Sequence, residues 1–537
     1  MNYFQAIKKS FDKTSFSQLY GNADMEKPKF ENGILYLPLS LLRCAAETAF
    51  RDAAFFLRET QLKLLAQRLE ENSPGCNDRM VISMLLKNAI SASKGEFCLC
   101  QDTGTAIIYA WKSESVRTGP GEREALEQGA AAAYKNNYLR SSIAGASSFF
   151  DEYNTGDNLP AQIHIESVPD DETSPDGPSY RLLFIAKGGG SSNRTKLFSM
   201  NKSLLEEKAF DAFLEEHIKA LGTAACPPYR LALVAGGLSP EQNLEVQKLA
   251  SSEILDTCPY FGDETESSAL IRRDRQWEER VMEIGRKSGL GAQFGGTSLL
   301  LDARVLRMPR HAASCPVSIG VSCAAHRCIL ARIDRNGLFI ENLVSDPASF
   351  LNEQKLSLGI AEIEAAPLRI NLDQPIKETL NELSALKAGS LILLSGKLLV
   401  ARDAAHLKWH KLITDGKNLP NYLFKYAVYY AGPAAAPPGR IIGSLGPTTA
   451  ERMDPYAEKL MSRGASLITL AKGERSPAWE TVCKKYGGAY LVTVGGAAAL
   501  MAQDHVTGSE LIDYPELGME AVRLIIVRDM PALVMNV

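Results

Sequence analysis

The sequence has 537 residues, 45% of them hydrophobic and 23% charged, with a formal net charge of -4. That length allows about two to four domains around a large core, and the near-neutral balance gives no basic face for nucleic acid. No apolar run approaches the roughly 20 residues that cross a bilayer, and ten scattered cysteines exclude a disulfide scaffold and point to a reducing compartment.

The opening Met1-Asn-Tyr-Phe-Gln-Ala-Ile-Lys-Lys lacks the apolar segment of a secretory signal, so a cytoplasmic location is expected. Residues 1 to about 95 read as mostly helical, because apolar residues from Pro38 onward recur every three and four positions. Phe97-Cys-Leu-Cys-Gln-Asp-Thr-Gly-Thr105 then sets a thiol, Cys100, two positions from a carboxylate, Asp102, with the amide of Gln101 between them. Gly104 lets the backbone turn closely there, and Ala106–Trp111 reads as a buried strand. By itself the stretch is equally an ordinary turn with a buried thiol. Glu124–Tyr134 is rich in helix formers. The strands Arg181–Lys187 and Tyr229–Ala235 end in Gly188-Gly189-Gly190 and Gly236-Gly237. Ser239-Pro-Glu-Gln242 has a capping-box spacing with proline at the first helical position.

From 289 to 330 the chain is dense in chemistry: Gly289-Leu-Gly-Ala-Gln-Phe-Gly-Gly296, Arg304-Val-Leu-Arg-Met-Pro-Arg-His311, Cys315-Pro316 and Val321-Ser-Cys323. The polar stretch with Pro347, Pro367 and Pro375 predicts a boundary, giving domains 1–345 and 376–537 joined by a linker over 346–375. Beyond it, Leu391–Ser395 and Lys397–Ala401 flank Gly396 in a hairpin-like arrangement. Further strands are expected at Ile441–Leu445, Leu467–Ala471 and Tyr490–Val494, with helices between them, which argues for an α/β domain.

The triple glycine at 188–190 lacks the lysine of a P-loop and the spacing of a dinucleotide fingerprint. Its backbone N–H groups suit either a carboxylate or a simple tight turn. No C-x-x-C pairs exist, which argues against structural zinc. Thiols beside glycine, proline or a turn suit an iron–sulfur cluster gathered from separate loops, although isolated cysteines also serve as small buried hydrophobes. Arg140, Arg402, Arg452 and Lys472 together suit a small dicarboxylate; each singly also reads as a surface charge. Thr448-Thr-Ala-Glu451 is a capping-box pattern opening a helix toward Met461.

Several of these stretches resemble the class I, iron–sulfur fumarate hydratases. They are Cys100-Gln-Asp-Thr-Gly-Thr105, Asn154-Thr-Gly-Asp-Asn-Leu-Pro-Ala-Gln162, Lys187-Gly-Gly-Gly-Ser-Ser-Asn193, Gly222-Thr-Ala-Ala-Cys-Pro-Pro-Tyr229 and Gly289–Gly296. To these are added Leu306-Arg-Met-Pro-Arg-His-Ala-Ala-Ser-Cys-Pro316, Val400-Ala-Arg-Asp-Ala-Ala-His406, Gly446-Pro-Thr-Thr-Ala450, Leu470-Ala-Lys-Gly473 and Tyr514-Pro-Glu-Leu-Gly-Met-Glu-Ala521. They stand in the family's order from about 97 to 521.

The resemblance implies a two-domain α/β fold, an N-terminal α/β cluster-binding domain with a C-terminal swivelling β/β/α domain, assembled as a homodimer. It implies reversible hydration of fumarate to (S)-malate by a hydro-lyase with a [4Fe-4S] cluster, whose open iron is the Lewis acid. The cluster ligands would be Cys100, Cys226 and Cys323, with Cys315 the conspicuous decoy. Arg140, Gly190, Arg402, Arg452 and Lys472 would hold the substrate carboxylates, with hydrogen bonds from Gln101 and His311. Asp102 and Thr448 match positions of proton transfer, and Thr449 lies beside them. No nucleic acid or membrane partner is implied.

Two departures stand out. Ala312 replaces a common glycine, and Cys323-Ala-Ala-His326-Arg replaces a more usual Cys-Ser-Ala-Asp-Arg. A mesaconate or tartrate dehydratase on the same scaffold, or a non-catalytic iron–sulfur sensor, is the alternative.

Overall fold

The computed structural model describes residues 3–19, 26–171, 174–263, 269–353 and 368–536. The predicted helical start is carried by Leu39–Phe55, Glu59–Glu71 and Asn77–Ala92. In the second of these, Leu62, Leu65, Ala66 and Leu69 form one buried stripe at three- and four-residue spacing. In the first, the buried face is largely alanine, which lets the helix Glu122–Asn136 pack closely against it. A Cβ on Gly129 would lie 2.2 Å from the Arg43 carbonyl oxygen, so only glycine allows that approach.

The architecture is mixed α/β with three larger sheets. The six-stranded sheet runs in the order Phe16–Gln18, Gly337–Glu341, Cys328–Asp334, Tyr180–Lys187, Thr105–Ser113 and Gln162–Val168. Tyr180–Lys187 is buried at every position, as a largely apolar strand at a sheet centre should be, and it buries Arg181 and Lys187 as well. The five-stranded sheet is ordered Lys196–Met200, Cys315–Ser322, Tyr229–Gly237, Leu300–Arg310 and Arg272–Arg273. Ser239 caps the following helix as expected, its Oγ accepting from the Gln242 amide at 3.2 Å.

In the C-terminal part, Leu391–Val400, Val428–Tyr429, Ile468–Ala471, Ala489–Val492 and Val522–Asn536 pair in succession, and the last pairs back onto the first. Five strands thus close into a ring, which removes two exposed edges. Leu391–Val400 is one strand rather than the expected hairpin. Gly396, at φ +119°, sits at a register shift and lets the chain bulge without reversing. The expected strand at 441–445 is irregular instead. Its polar backbone groups are met by separate segments: the Ser444 carbonyl accepts from Ala434, and the Leu445 amide donates to Ala498. A segment whose backbone is satisfied that way needs no neighbouring strand. The predicted cap at Thr448 is also absent. A 3-10 turn, Ala450–Met453, precedes the helix Asp454–Met461, and neither threonine bonds its end through a side chain.

Of the expected linker, a helix at Pro347–Glu353 and a strand at Leu368–Asn371 are seen, and 354–367 lies outside the described residues. One core cluster unites Leu62, Ile82 and Leu86 with Ile392, Leu470 and Ile525, so the early helices pack against the C-terminal ring. Among the described residues, no helix is long and apolar enough to cross a membrane.

Candidate functional site

Three cysteines stand at the ends of strands from two sheets. Cys100 precedes Thr105–Ser113, Cys226 precedes Tyr229–Gly237, and Cys323 follows Cys315–Ser322. Rigid strands with irregular ends are well suited to fixing reactive groups. Cys226 holds a left-handed φ of +61°, uncommon for a residue with a side chain. Its carbonyl accepts from the Ala324 amide at 3.1 Å, which ties two of the cysteine loops together.

Burial pushes the Cys100 thiol up to about 12, with Arg327 opposing and Asp102, Cys226 and Cys323 adding to the rise. The three sulfurs therefore share one electrostatic neighbourhood. Among the described residues, no three His, Cys, Asp or Glu side chains sit close enough to grip a single metal ion. An all-sulfur donor set gathered from three loops suits an iron–sulfur cluster. The surroundings fit it too. Lys472 Nζ donates to Cys226 Sγ at 2.7 Å, and a Cβ on Gly495 would lie 2.4 Å from that sulfur, so the backbone leaves room for the thiol. Buried Arg327 raises the positive charge beside Cys100 and Cys323.

Asp102 is held on both oxygens. The Gly189 amide donates to Oδ2 at 2.8 Å, and Arg140 Nη2 lies 3.3 Å from Oδ1. Burial alone would raise this carboxyl, but Arg140, Arg327 and the Gly189 amide outweigh it and hold it below the ordinary carboxylate value. The triple glycine thus cradles a carboxylate, and that carboxylate belongs to the chain itself. Gly188 makes the contact close, since a Cβ there would lie 3.0 Å from Asp102 Oδ2.

The other predicted residues gather around this pair. Gln101 accepts from the Cys100 thiol at 3.6 Å and donates to the Pro447 carbonyl at 3.4 Å. Gly190 packs on Ala225, next to Cys226. Thr448 is buried, its amide donating to Tyr430 and its carbonyl accepting from the Lys472 amide at 3.2 Å. Thr449 Oγ1 donates to the Ala224 carbonyl at 3.3 Å. Arg140 Nη1 donates to the Gly432 carbonyl at 3.0 Å, and the Arg402 side chain lies against Gly432. Arg402 pairs with Glu520 at 3.0 Å and Asp403 at 3.2 Å, and Arg452 forks onto the same Asp403.

His311 is not brought to this group. It is exposed on the turn between two strands, with its Nδ1 accepting from the Ala313 amide at 3.2 Å and its carbonyl accepting from Arg310. Cys315 begins a strand and is wholly buried with Val317, Ile319 and Phe213, an ordinary core thiol.

Sequence reasoning missed Arg327, which stands four residues after Cys323 and reads as a solvated loop charge until its burial is known. It also left the role of Gly289–Gly296 open. That loop wraps the buried Asp78 carboxylate, which accepts from the amides of Ala292 (2.5 Å), Thr297 (2.7 Å) and Ser298 (2.9 Å). Any Cβ on Gly291 or Gly296 would strike the same carboxylate, at 2.5 and 2.2 Å. The loop presents Gln293, which donates to the carbonyls of Pro227 and Gly495 and accepts from the Gly495 amide. It thereby fixes the neighbourhood of Cys226. His326, standing where a carboxylate was expected, is buried between Ser322 Oγ and Glu253 Oε1, each at 2.8 Å. Burial and Arg230 push its imidazole down to about 4, so the neutral ring donates to Glu253 and accepts from Ser322.

Comparison with known proteins adds an independent finding. The family model described as "Fumarate hydratase (Fumerase)" matches residues 44–332, and "Fumarase C-terminus" matches 337–536. The chain is 42% identical over 533 residues to "Fumarate hydratase 2" of Leishmania major, covering 99% of this chain and 91% of that one. It is 44% identical over 502 residues to "Fumarate hydratase class I, anaerobic" of Escherichia coli K12, covering 94% and 89%. A shorter match, 33% over 149 residues, links 27% of this chain to 76% of the "Putative L(+)-tartrate dehydratase subunit beta" of Methanocaldococcus jannaschii.

Proposed function

The chain belongs to the fumarate hydratase family, and from that premise we propose how its residues carry out the family's reaction. The enzyme is a hydro-lyase that interconverts fumarate and (S)-malate. The observation that carries this reading is the convergence of three strand-end thiols on an ionised Asp102 ringed by Arg140, Arg327 and Lys472. A [4Fe-4S] cluster on Cys100, Cys226 and Cys323 supplies, when bound, a Lewis acid for the malate hydroxyl.

The chain's own groups do the rest. Arg140, Arg402, Arg452 and Lys472 bind the substrate carboxylates and favour the charge that builds on one of them as the C–H bond breaks. Gly190, Gln101 and Thr449 line the place between. Asp102, unprotonated and fixed on both oxygens, manages the proton of the hydroxyl. Thr448, clamped through its backbone by Tyr430 and Lys472, presents its hydroxyl to the carbon-bound proton. A bare hydroxyl is a weak base, so this role depends on the cations around it. His311, exposed on its turn, is the remaining hydrogen-bonding group of this reading. The same reading includes domains 1–345 and 376–537, the second swivelling over the first, in a cytoplasmic homodimer.

The test is fumarate formation from (S)-malate by protein reconstituted anaerobically with iron and sulfide, repeated after exposure to air. Turnover that needs the cluster and decays in air supports the reading. Turnover faster on tartrate or mesaconate reassigns the substrate, and a cluster without turnover makes the chain a sensor.

A further inference from the structure

A cavity of about 460 Å³ opens beside Arg140, walled largely by small and apolar residues such as Pro433, Ala434 and Ile442. Three charged side chains line it: Arg140, Glu516 and Arg523. Two of them have counter-charges, since Arg140 faces Asp102 at 3.3 Å and Glu516 faces Lys408 at 3.3 Å. Arg523 has none. Among the described residues it makes no ion pair, its buried Nε has no hydrogen-bond partner, and burial is the sole influence on its charge.

Nor is Arg523 a loose surface side chain. It lies near the start of Val522–Asn536, paired on one side with Val400 and on the other with Leu511. The sheet therefore holds a cation at the wall of a cavity where desolvation works against it. An uncompensated, partly desolvated charge facing a cavity marks a place where an ion of opposite sign gains most. The charge left without a counter-charge there is positive, and the neighbouring cationic residue is one already assigned to the substrate carboxylates.

We propose that this cavity is a capture site for the dicarboxylate, with Arg523 receiving one carboxylate before the substrate moves on to Arg140. The proposal rests on the fumarate hydratase reading for the identity of the ligand. Arg523 acts on arrival and not on the chemical step, so it governs kcat/KM at low substrate and leaves kcat alone.

The experiment compares wild type, Arg523→Met and Arg523→Lys holoenzymes on (S)-malate across ionic strength. Arg523→Met should lose about three- to tenfold in kcat/KM at low salt, a loss that shrinks as salt rises. Arg523→Lys should retain most of the wild-type value and its salt dependence. A methionine variant with unchanged kcat/KM and an unchanged salt slope overturns the proposal, as does a loss confined to kcat. A second readout does not require turnover. In the cluster-free full chain, fumarate should protect Arg523 from phenylglyoxal, as mapped by mass spectrometry, and absence of protection overturns the capture site. Wild-type protein that fails to turn over malate counts against the hydratase reading instead.

Discussion

Replacing Asp78 tests whether the glycine-rich loop is held by its carboxylate. In Asp78→Ala the amides of Ala292, Thr297 and Ser298 lose their acceptor together, in a site where Asp78 is 2% exposed. Hydrogen bonds to a charged group contribute about 1.5–3 kcal/mol each. The sum overstates the effect, because deleting the carboxylate also removes the cost of burying it. A net loss of about 3–5 kcal/mol remains, the size expected when one side of a buried charged contact is removed. In Asp78→Asn one oxygen survives, but the Thr297 and Ser298 amides share Oδ2, so an amide in either orientation leaves donors facing a donor. Thermal unfolding of the cluster-free protein should show a midpoint lower by about 3–4 °C for both variants. Since Gln293 rides on this loop, iron uptake should fall as well. Midpoints within about 1 °C of wild type would refute the reasoning.

Gly495→Ala places a Cβ 2.4 Å from Cys226 Sγ and 2.9 Å from Lys472 Cδ; iron and sulfide content after reconstitution should drop several-fold, and full content would contradict the ligand geometry. Cys315→Ala should keep the wild-type iron content at a cost of about 1–2 kcal/mol for the cavity, whereas Cys323→Ala should lose the cluster; the opposite pattern in iron analysis would exchange the two residues' roles. His406 is fully buried, donates from Nδ1 to the Arg402 carbonyl, and is pushed down to about 4 chiefly by burial. Its unfolded-state value, about 6.5, is higher, so the unfolded chain takes the proton first and stability falls as pH drops from about 6.5 toward 4, by about 3 kcal/mol. His406→Gln should flatten that part of the pH–stability curve, and parallel curves for the two proteins would count against it.

What could be read in advance follows from how local each signal is. Tyr180–Lys187 and Tyr229–Gly237 were legible because strands buried on both faces are mostly apolar, here with a central run after one arginine, and Ser239 because a cap needs only its own neighbours. Gly396 was misread because a glycine between apolar runs serves a bulge as well as a turn, and only the pairing with Val522–Asn536 separates them. Ile441–Leu445 misled for a related reason, its backbone being satisfied by distant segments. In the site, Cys100, Gln101 and Asp102 stood in one stretch and the cations Arg140 and Lys472 were grouped by residue type, whereas the part of Cys226 is tertiary and came from resemblance alone. Arg327 escaped because a guanidinium in a loop looks solvated until the thiols around it are placed.

The core cluster shared by the early helices and the C-terminal ring also shapes how the chain is made. Leu62, Leu86 and Leu99 share one buried cluster with strands that end near Val534, more than four hundred positions later. At synthesis rates of about 5–20 residues per second, that interval lasts roughly 20–90 s. For that time the helices Glu59–Glu71 and Asn77–Ala92 can pack on each other, but the apolar surface that the ring will cover stays open. Aggregation during translation is therefore set by the speed of the ribosome and by holding chaperones, and a stalled or truncated message leaves an adhesive fragment.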